Sequence, residues 1–386
     1  MSPIAPPSVG TGRPGTRLLP LGLFAGICLI GAELGRLFPA VYEGHSFPAI
    51  GAPSGLLFAA LVLTERRHWG GWLLAACGAI FLSGGIIHGQ VLPAAVSSFA
   101  LALEASLGAF LLGGMAAAPF TIARVREVWA FGAAAVAASM AGATVAAAFT
   151  AMSGTGPSLT TAFPALLAGD LLGILLIAPL ALAWAADRAA FVDFERPWRV
   201  AELVAATVTP IAVTYMVWAD LVPPLLRVPV FALPPLLWAA FRFGPGGATL
   251  TVLAVSTVGL WYTALGRGPY TLLTTSAAQA IQRAQQTSGV LAFSLLLLAA
   301  VVAERKRVAR ERDLLVTELQ QALAEIKTLQ GMIPICAWCH KVRDDAGFWQ
   351  RIETYLHVRT EATFSHGICP ECTHQLSSQP DADVSV

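Results

Sequence analysis

Apolar residues dominate the chain from Leu18 to Ala303, and charged residues become frequent from Glu304 onward. Between these points, ten apolar runs bounded by charged residues or by proline and glycine are candidates for membrane segments. They cover residues 18–38, 50–64, 70–88, 92–116, 128–152, 162–186, 201–221, 227–242, 246–265 and 285–303. The runs are continuously apolar, which predicts helices rather than a β-barrel. Because the second and eighth runs are short, eight spans with two re-entrant segments is the alternative.

A heptad pattern follows the last apolar run. Its first apolar position holds Val301, Val308, Leu315, Ala322 and Leu329, and its second holds Leu319 and Ile326, with Arg312 as an exception. This spacing predicts a helix over 304–330, continuous with the last span, that forms a parallel dimeric coiled coil. A single helix packed against the rest of the tail is the alternative.

Composition and charge support a polytopic membrane protein. The chain is 56% hydrophobic and 12% charged, whereas a soluble protein is about 25% charged. Arginine and lysine concentrate in alternate loops, around residues 66–67, 124–126, 188–199 and 242, and again at 305–307. If these loops are cytosolic, both termini are cytosolic as well. Arg227, Arg267 and Arg283 are exceptions to the pattern.

Ionisable residues inside the apolar runs are candidates for a functional site. Glu33 and Arg36 fall in the first run, Glu104 in the fourth and Asp170 in the sixth. Because each costs about 2.5–3.5 kcal/mol at the centre of a membrane helix, a position facing lipid is unfavourable. They form either internal ion pairs or a polar pocket that binds a small ligand or couples to protons. Gly51, Pro53, Ser54 and Gly55 would break the second helix and free backbone groups to line such a pocket.

Three segments carry a family resemblance. They are GAPSGLLFAALVL with RRHWGGWLLAACGAIF, then LLAGDLLGILLIAPLALAW, then LPPLLWAAFRFGPGGATL. Together they resemble the first of the MASE (membrane-associated sensor) families over residues 18–303. The resemblance implies a sensory domain of about eight spans, of the kind found at the N-terminus of bacterial histidine kinases and cyclic-di-GMP enzymes, and hence the bacterial inner membrane. It also implies that Asp170, Gly173, Pro179, Trp238 and Arg242 matter most. The candidate ligand-binding residues are therefore Glu33, Glu104, Asp170, Trp238 and Arg242.

Four cysteines near the C-terminus have the spacing C-x2-C-x29-C-x2-C; they are Cys336, Cys339, Cys369 and Cys372. Two such pairs can hold one structural zinc tetrahedrally, and a head of this size gains folding free energy from a metal. A redox-active dithiol pair and an iron–sulfur cluster are the alternatives. Between the pairs, residues 342–349 predict a hairpin, and Trp349, Ile352 and Leu356 predict one face of a helix.

The charge of the head argues against nucleic acid as a partner. Residues 331–376 contain four Lys or Arg and five Asp or Glu, so the surface is unsuited to phosphate binding. The segments IPICAWCHKVRDDAGFW and FSHGICPEC resemble a cysteine-rich tail at the end of some bacterial sensor kinases and response regulators. We expect contact with a cytosolic signalling protein.

The chain thus divides into five predicted parts. They are a disordered 1–17, for which a cleaved signal peptide is the alternative, a sensory bundle 18–303, a signalling helix 304–330, a metal-binding head 331–376 and a disordered tail 377–386. Only 83 residues follow the bundle, too few for a kinase or cyclase domain, so we expect no enzyme activity. We predict an all-α polytopic sensory protein with a zinc-ribbon-like α+β head. The alternative is a secondary transporter that uses the intramembrane carboxylates, although no convincing internal similarity between halves is evident.

Overall fold

The structure, a computed structural model, describes residues 15–37, 39–42, 45–116, 120–154, 156–186, 197–327, 333–359 and 363–377. The predicted disordered segments 1–17 and 377–386 lie almost entirely outside these residues. The chain forms two compact units, Met1–Arg310 and Glu311–Val386.

Apolar helices make up the first unit. They are α1 Gly15–Leu37, α2 Ala52–Leu63, α3 Trp69–Phe81 with a π-helical extension Leu82–Ile87, α4 Val91–Met115, α5 Val125–Met152, α6 Leu159–Ala186, α7 Pro197–Trp218, α8 Leu233–Ala264, the short α9 Pro269–Leu272 and α10 Ala277–Lys327. Single 3-10 turns occupy Arg66–His68, Pro224–Leu226 and Pro229–Ala232. The strands β1 Pro39–Tyr42 and β2 His45–Pro48 pair antiparallel after α1.

Eight helices in the described part of the chain are long and apolar enough to cross a membrane. The ten-span prediction is therefore corrected to eight long helices. The predicted span 50–64 is the 12-residue helix α2, which extends only about 18 Å and is too short to cross alone. Most of the predicted spans 227–242 and 246–265 lies within one element, α8, and a 3-10 turn at Pro229–Ala232 precedes it.

Helix α8 is folded back on itself at Gly244, which has φ 65° and ψ −153°. A Cβ atom on Gly247 would lie 3.1 Å from the carbonyl oxygen of Ala239. Residues eight apart in a continuous helix are separated by about 12 Å along its axis, so the chain reverses here. Helix α8 thus consists of a short segment, 233–243, and a long segment, 245–264. The structure contains two short helices, α2 and 233–243, at the places where the sequence predicted short spans.

Contacts between helices define one end of the bundle, which we call the basic end. The backbone N–H of Val125 donates to Glu304 Oε2 at 3.2 Å, and Lys306 Nζ donates to the carbonyl of Phe241 at 2.8 Å. The side chains of Arg242 and Glu202 pair close by. The start of α5, the start of α7, the fold of α8 and residues 304–306 of α10 therefore lie together.

The opposite end contains the other terminus of the same helices. Trp218, the last residue of α7, donates from Nε1 to Thr263 Oγ1 at 3.2 Å, and its ring lies 5.9 Å from that of Tyr270. Helices α7 and 245–264 therefore run in the same direction. The apolar core between the two ends includes Phe58, Phe131, Leu176 and Leu236, all at most 1% exposed.

The second unit begins within α10, which extends to Lys327, so the predicted helix after residue 303 is continuous with the last apolar span. Residues 328–330 of the predicted signalling helix lie outside the described residues. Strands β3 Val342–Arg343 and β4 Trp349–Gln350 pair antiparallel, and α11 Ile352–Arg359 follows. These confirm the predicted hairpin and a helix that contains Ile352 and Leu356. Trp349 lies in β4 and not on the predicted helix face, because the second strand of the hairpin extends through it. A further helix, α12 Pro370–Ser377, begins between the last two cysteines; a zinc ribbon is not shown.

Candidate functional site

Four polar residues from four helices meet near the middle of the bundle, and we call them the polar cluster: Ser54 of α2, Glu104 of α4, Ser139 of α5 and Asp170 of α6. Ser139 donates a hydrogen bond to Glu104 Oε1 at 2.8 Å, and Ser54 donates to Asp170 Oδ1 at 3.2 Å. Ser54 also interacts with Glu104, whose carboxyl interacts electrostatically with that of Asp170. Glu104 is 1% exposed. The structure therefore brings two of the predicted ligand-binding residues together.

The N-terminus of α2 faces this cluster. Helix α2 begins after Gly51, whose N–H donates to the Gly169 carbonyl at 2.8 Å. A Cβ atom on Gly51 would lie 2.6 Å from Asp170 Oδ1, so the Asp170 carboxyl lies against the first turn of α2. The partial positive charge of a helix N-terminus stabilises an anionic group there. The hairpin β1–β2 and the proline at position 53 start the helix at this depth rather than at the membrane surface.

Helix α10 reaches the same region from the other side. Gln285, which is 2% exposed, donates from Nε2 to the Ala49 carbonyl at 2.9 Å. Ala49 lies two residues before Gly51, so α10 contacts the segment that leads into the polar cluster. The Oε1 atom of Gln285 has no hydrogen-bond partner within the described structure. Segment 49–51 therefore contacts both α10 and the polar cluster.

Glu33 lies apart from the polar cluster. It accepts hydrogen bonds from Ser83 and from His88 Nε2, the latter at 3.1 Å, and its Oε1 lies 3.9 Å from Arg36 Nε. The side chains of Glu33, Arg36 and His88 are each about 40% exposed, at 37%, 41% and 38%. For Glu33, the structure favours the internal ion pair over a shared pocket with Glu104 and Asp170.

Arg242 and Trp238 lie at the basic end. Arg242 forms a bidentate pair with Glu202, with Nε–Oε1 at 2.5 Å and a second bond at 2.8 Å. Its guanidinium lies 5.7 Å from the centre of the Trp198 ring, and Trp238 is 40% exposed. Such a bidentate pair anchors α7 to the fold of α8. The five predicted ligand-binding residues therefore occupy three separate places.

The polar cluster suits a very small ligand. Two surface clefts, of about 510 and 570 Å³, are lined by other residues, with no member of the cluster among them. Among the described residues, no Lys, Arg or His side chain forms an ion pair with Glu104 or Asp170. Two neighbouring carboxyls without a cationic partner are chemically suited to hold a proton or a small cation.

The two cysteine pairs form separate turns in the tail. Cys336 accepts hydrogen bonds from the backbone N–H groups of Cys339 and Trp338, and these bonds lower the pKa of its thiol. The N–H of Cys372 bonds to the sulfur of Cys369, and this bond lowers the pKa of that thiol. His340 has φ 54° and its N–H closes the first turn on the Cys336 carbonyl at 2.9 Å.

Each cysteine pair fits half of a zinc site, since thiolates stabilised by backbone N–H groups are suitable ligands. In the described residues, however, no group of three or more His, Cys, Asp or Glu side chains is positioned to hold a metal. The structure does not bring the two pairs together, so the four-ligand zinc site stays a prediction.

Sequence reasoning missed several residues that the structure places in contact. Ser139, Glu202 and His88 are isolated polar residues in apolar runs, and Gln285 is one of several polar residues at the start of its run, so none of them leaves a periodic signal. It also missed a repeat that links the two short helices: APSGLLFAAL over Ala52–Leu61 and ALPPLLWAAF over Ala232–Phe241. The two segments share alanine and leucine at five of these positions and an aromatic residue at a sixth. Comparison of the two short apolar runs with each other would have found it.

A comparison with protein families supplies one finding. The MASE1 family model matches residues 19–306, which are well over half of the chain. Comparisons with curated proteins and with solved structures give no significant match.

Proposed function

The chain belongs to the MASE1 family of membrane sensory domains, and from that premise we propose that it perceives a stimulus in its helical bundle and relays it to a partner protein. In this proposal the protein lies in the bacterial inner membrane with both termini in the cytosol. Helix α10 transmits the change as a parallel dimer, and the cysteine-containing tail contacts the partner. The chain is not an enzyme in this scheme.

The continuity of α10 is the observation that carries the proposal. One helix, Ala277–Lys327, contains Gln285, which is buried in the bundle, and also exposed residues beyond it. Leu315 is 59% exposed and Leu319 is 63% exposed. In water, such an apolar stripe at heptad spacing is stabilised by pairing with a second copy of the helix. A displacement at Gln285 therefore has a rigid route to the paired segment.

We place perception at the polar cluster. The Ser54 hydroxyl has one proton and can donate to only one carboxyl at a time, while it interacts with both Glu104 and Asp170. Two ionised carboxylates that share one donor repel each other, and a proton or small cation relieves that repulsion. Uptake of such an ion would shift α2 relative to α4 and α6, and segment 49–51 would pass the shift to α10.

The experiment places a photo-crosslinking amino acid at Leu319 in the full chain in native membranes. Dimer yield is compared among the parent protein, Glu104→Gln and Asp170→Asn. Each substitution removes one charge with little change in shape, so we expect either one to change the crosslinked fraction. Glu65→Gln is the matched control, because Glu65 is an exposed acid that pairs with Arg67 outside the cluster.

The outcomes separate the parts of the proposal. An absence of crosslinks at Leu319, with crosslinks at the opposite helix face, overturns pairing through the heptad stripe, and an absence at both faces overturns the dimer. Crosslinks that respond equally to all three variants overturn the role of the polar cluster. For the tail, zinc as a structural metal is tested by metal analysis of the purified full chain, with one zinc per chain expected.

Secondary transport is a second candidate function, because the structure contains the repeated short helices. Short or interrupted helices in corresponding halves are typical of transporter binding sites, and α2 and segment 233–243 follow α1 and α7 in the same order. Uptake of a solute by proteoliposomes that contain the pure protein would favour transport. Loss of that uptake in Glu104→Gln, with Glu65→Gln unaffected, would assign it to the polar cluster.

A further inference from the structure

Exposed arginines gather at the basic end of the bundle. Four of them, Arg66, Arg126, Arg305 and Arg310, define what we call the arginine surface, and each has an exposed side chain. Arg126 adjoins Val125, whose N–H bonds to Glu304, the residue before Arg305. Arg310 follows Lys306 by one helical turn, and Lys306 bonds to the Phe241 carbonyl.

Arg66, in the 3-10 turn between α2 and α3, joins this surface and packs against α4. Its guanidinium lies 4.9 Å from the centre of the Phe110 ring and 6.0 Å from that of Trp69. A Cβ atom on Gly113, near the end of α4, would lie 3.9 Å from the Arg66 guanidinium. These contacts hold the Arg66 guanidinium beside the C-terminal end of α4, and the Arg66 residue remains exposed.

Four acidic residues at this end, among those that the structure describes, already have partners. Glu65 pairs with Arg67, Glu127 with Arg124 and Thr121, and Glu202 with Arg242, while Glu304 accepts the N–H of Val125. In the part of the chain that the structure describes, none of the four arginines of the arginine surface has an acidic partner. Within the described residues, the surface therefore has an excess of positive charge that no carboxylate neutralises.

Tryptophans mark the depth of the arginine surface. Trp129 is 57% exposed and lies one turn after Arg126, and Trp198 is 55% exposed at the start of α7. Tryptophan concentrates at the level of lipid headgroups, where its ring is apolar and its N–H reaches water. The arginine surface therefore lies at the height of the phospholipid phosphates rather than out in solution.

We propose that the arginine surface binds anionic phospholipid headgroups. Guanidinium groups bind phosphate oxygens through paired hydrogen bonds, and clusters of basic residues beside a membrane helix attract anionic lipid. The position of the surface at headgroup depth favours a lipid over a free phosphate ion. Because Arg305 and Arg310 lie on α10 just beyond the bundle, a bound headgroup would hold the first exposed turns of that helix at the membrane surface.

The test uses the full chain reconstituted in phosphatidylcholine vesicles. Increasing fractions of the phosphatidylcholine are replaced by brominated phosphatidylglycerol. Brominated chains quench the fluorescence of nearby tryptophans, and Trp129 and Trp198 are natural reporters. Parallel vesicles with brominated phosphatidylcholine give the preference for the anionic lipid. The variants are R66Q/R126Q and R305Q/R310Q. The matched control is R267Q/R283Q, which removes the same charge from exposed arginines elsewhere.

We expect the parent protein to prefer the anionic lipid, and each test variant to lower that preference on the order of fivefold per arginine, with less effect at high salt. The control should retain the preference. Equal losses in the control and the test variants, or no preference in the parent protein, would overturn the proposal. Full competition by inorganic phosphate would also overturn it, because the surface would then bind phosphate rather than lipid.

Discussion

Glycine residues determine how closely α2 approaches α6. A Cβ atom on Gly55 would lie 2.2 Å from the Gly173 carbonyl oxygen, and one on Gly173 would lie 2.0 Å from the Gly51 carbonyl oxygen. Both distances are far below van der Waals contact, so only glycine fits at either position. This close approach brings Ser54 within hydrogen-bonding distance of Asp170. Small residues at helix contacts stabilise membrane bundles in this way.

The first prediction concerns these glycines. Gly55→Ala or Gly173→Ala should destabilise the bundle by about 1–3 kcal/mol or more, because the added methyl group forces the two backbones apart. Thermal unfolding in detergent measures the effect. Gly78→Ala is the control, since a Cβ atom there meets nothing within 4 Å, and alanine there is favourable in a helix by about 0.5–1 kcal/mol. Equal unfolding temperatures for all three variants would contradict the close packing.

At this scale the sequence predicted part of the site. Glu104 and Asp170 stand out because a carboxyl in an apolar run is costly and needs a partner. Their partner Ser139 does not stand out, because serine is common in membrane helices and its neighbours are alanines. Arg242 was predicted to share a site with Glu104 and Asp170, but its partner is Glu202. The sequence alone does not indicate that Arg242 lies apart from the polar cluster.

Element lengths explain where the prediction of spans was right and wrong. Apolar runs indicate helices reliably, and every predicted run corresponds to a helix or part of one. Run length was the signal that separated the short helices from the full spans, since α2 and segment 233–243 correspond to the two runs noted as short. The fold at Gly244 depends on a positive φ that glycine adopts readily, and a glycine followed by proline was a visible signal for it.

In the tail, the cysteine turns are the informative elements. The second prediction is that, after chelator treatment, Cys336 and Cys369 of the full chain are alkylated before the buried Cys28. Backbone N–H groups lower the pKa of both tail thiols, so a larger fraction is thiolate near neutral pH, and the rate should fall as pH falls through the lowered pKa. Cys28 is 0% exposed. Mass spectrometry of the alkylated peptides measures the order.

The same measurement tests for metal. If zinc joins the two pairs, all four tail cysteines should resist alkylation until chelator is added, because coordinated thiolates react slowly. Alkylation that is equally fast with and without chelator would remove zinc from the proposal. The sequence spacing predicted the pairs and the hairpin between them. It could not predict whether they meet, because that depends on the path of the residues that separate them.

For the whole molecule, the even number of helical segments has a consequence for orientation. Because α7 and segment 245–264 run in the same direction, residues 219–243 return the chain between them. The two ends of the bundle therefore lie on the same side only when the two short helices are counted together with the eight long ones. Residues from predicted cytosolic loops, including Arg242, Glu304 and Lys306, meet at the basic end. The basic loops that alternate in the sequence are thus in contact in the structure, and the eight-span alternative with two short segments is the count that the described helices support. The cytosolic position of this end stays a prediction.

The third prediction is the membrane topology. A small tag inserted at Gly154, or at Gly89 or Gly266 as alternatives, should be accessible from the side opposite to tags at either terminus. Each of these glycines has a positive φ and open space around its Cβ position, so an insertion there should be tolerated. Accessibility of the tags to protease in oriented vesicles measures it. Termini on different sides would contradict the even count.

The short length of α2 also bears on how the protein is made. A helix of 12 residues is a weak signal for the insertion machinery. Asp170 of α6, which accepts the hydrogen bond from Ser54 of α2, is synthesised much later, since the two residues are 116 positions apart in the chain. During translation, α2 must therefore wait at the membrane surface or among α1 and α3 until α6 arrives. The packing of α2 against α6 is therefore a late step of biogenesis. The polar cluster forms only after α6 has been synthesised.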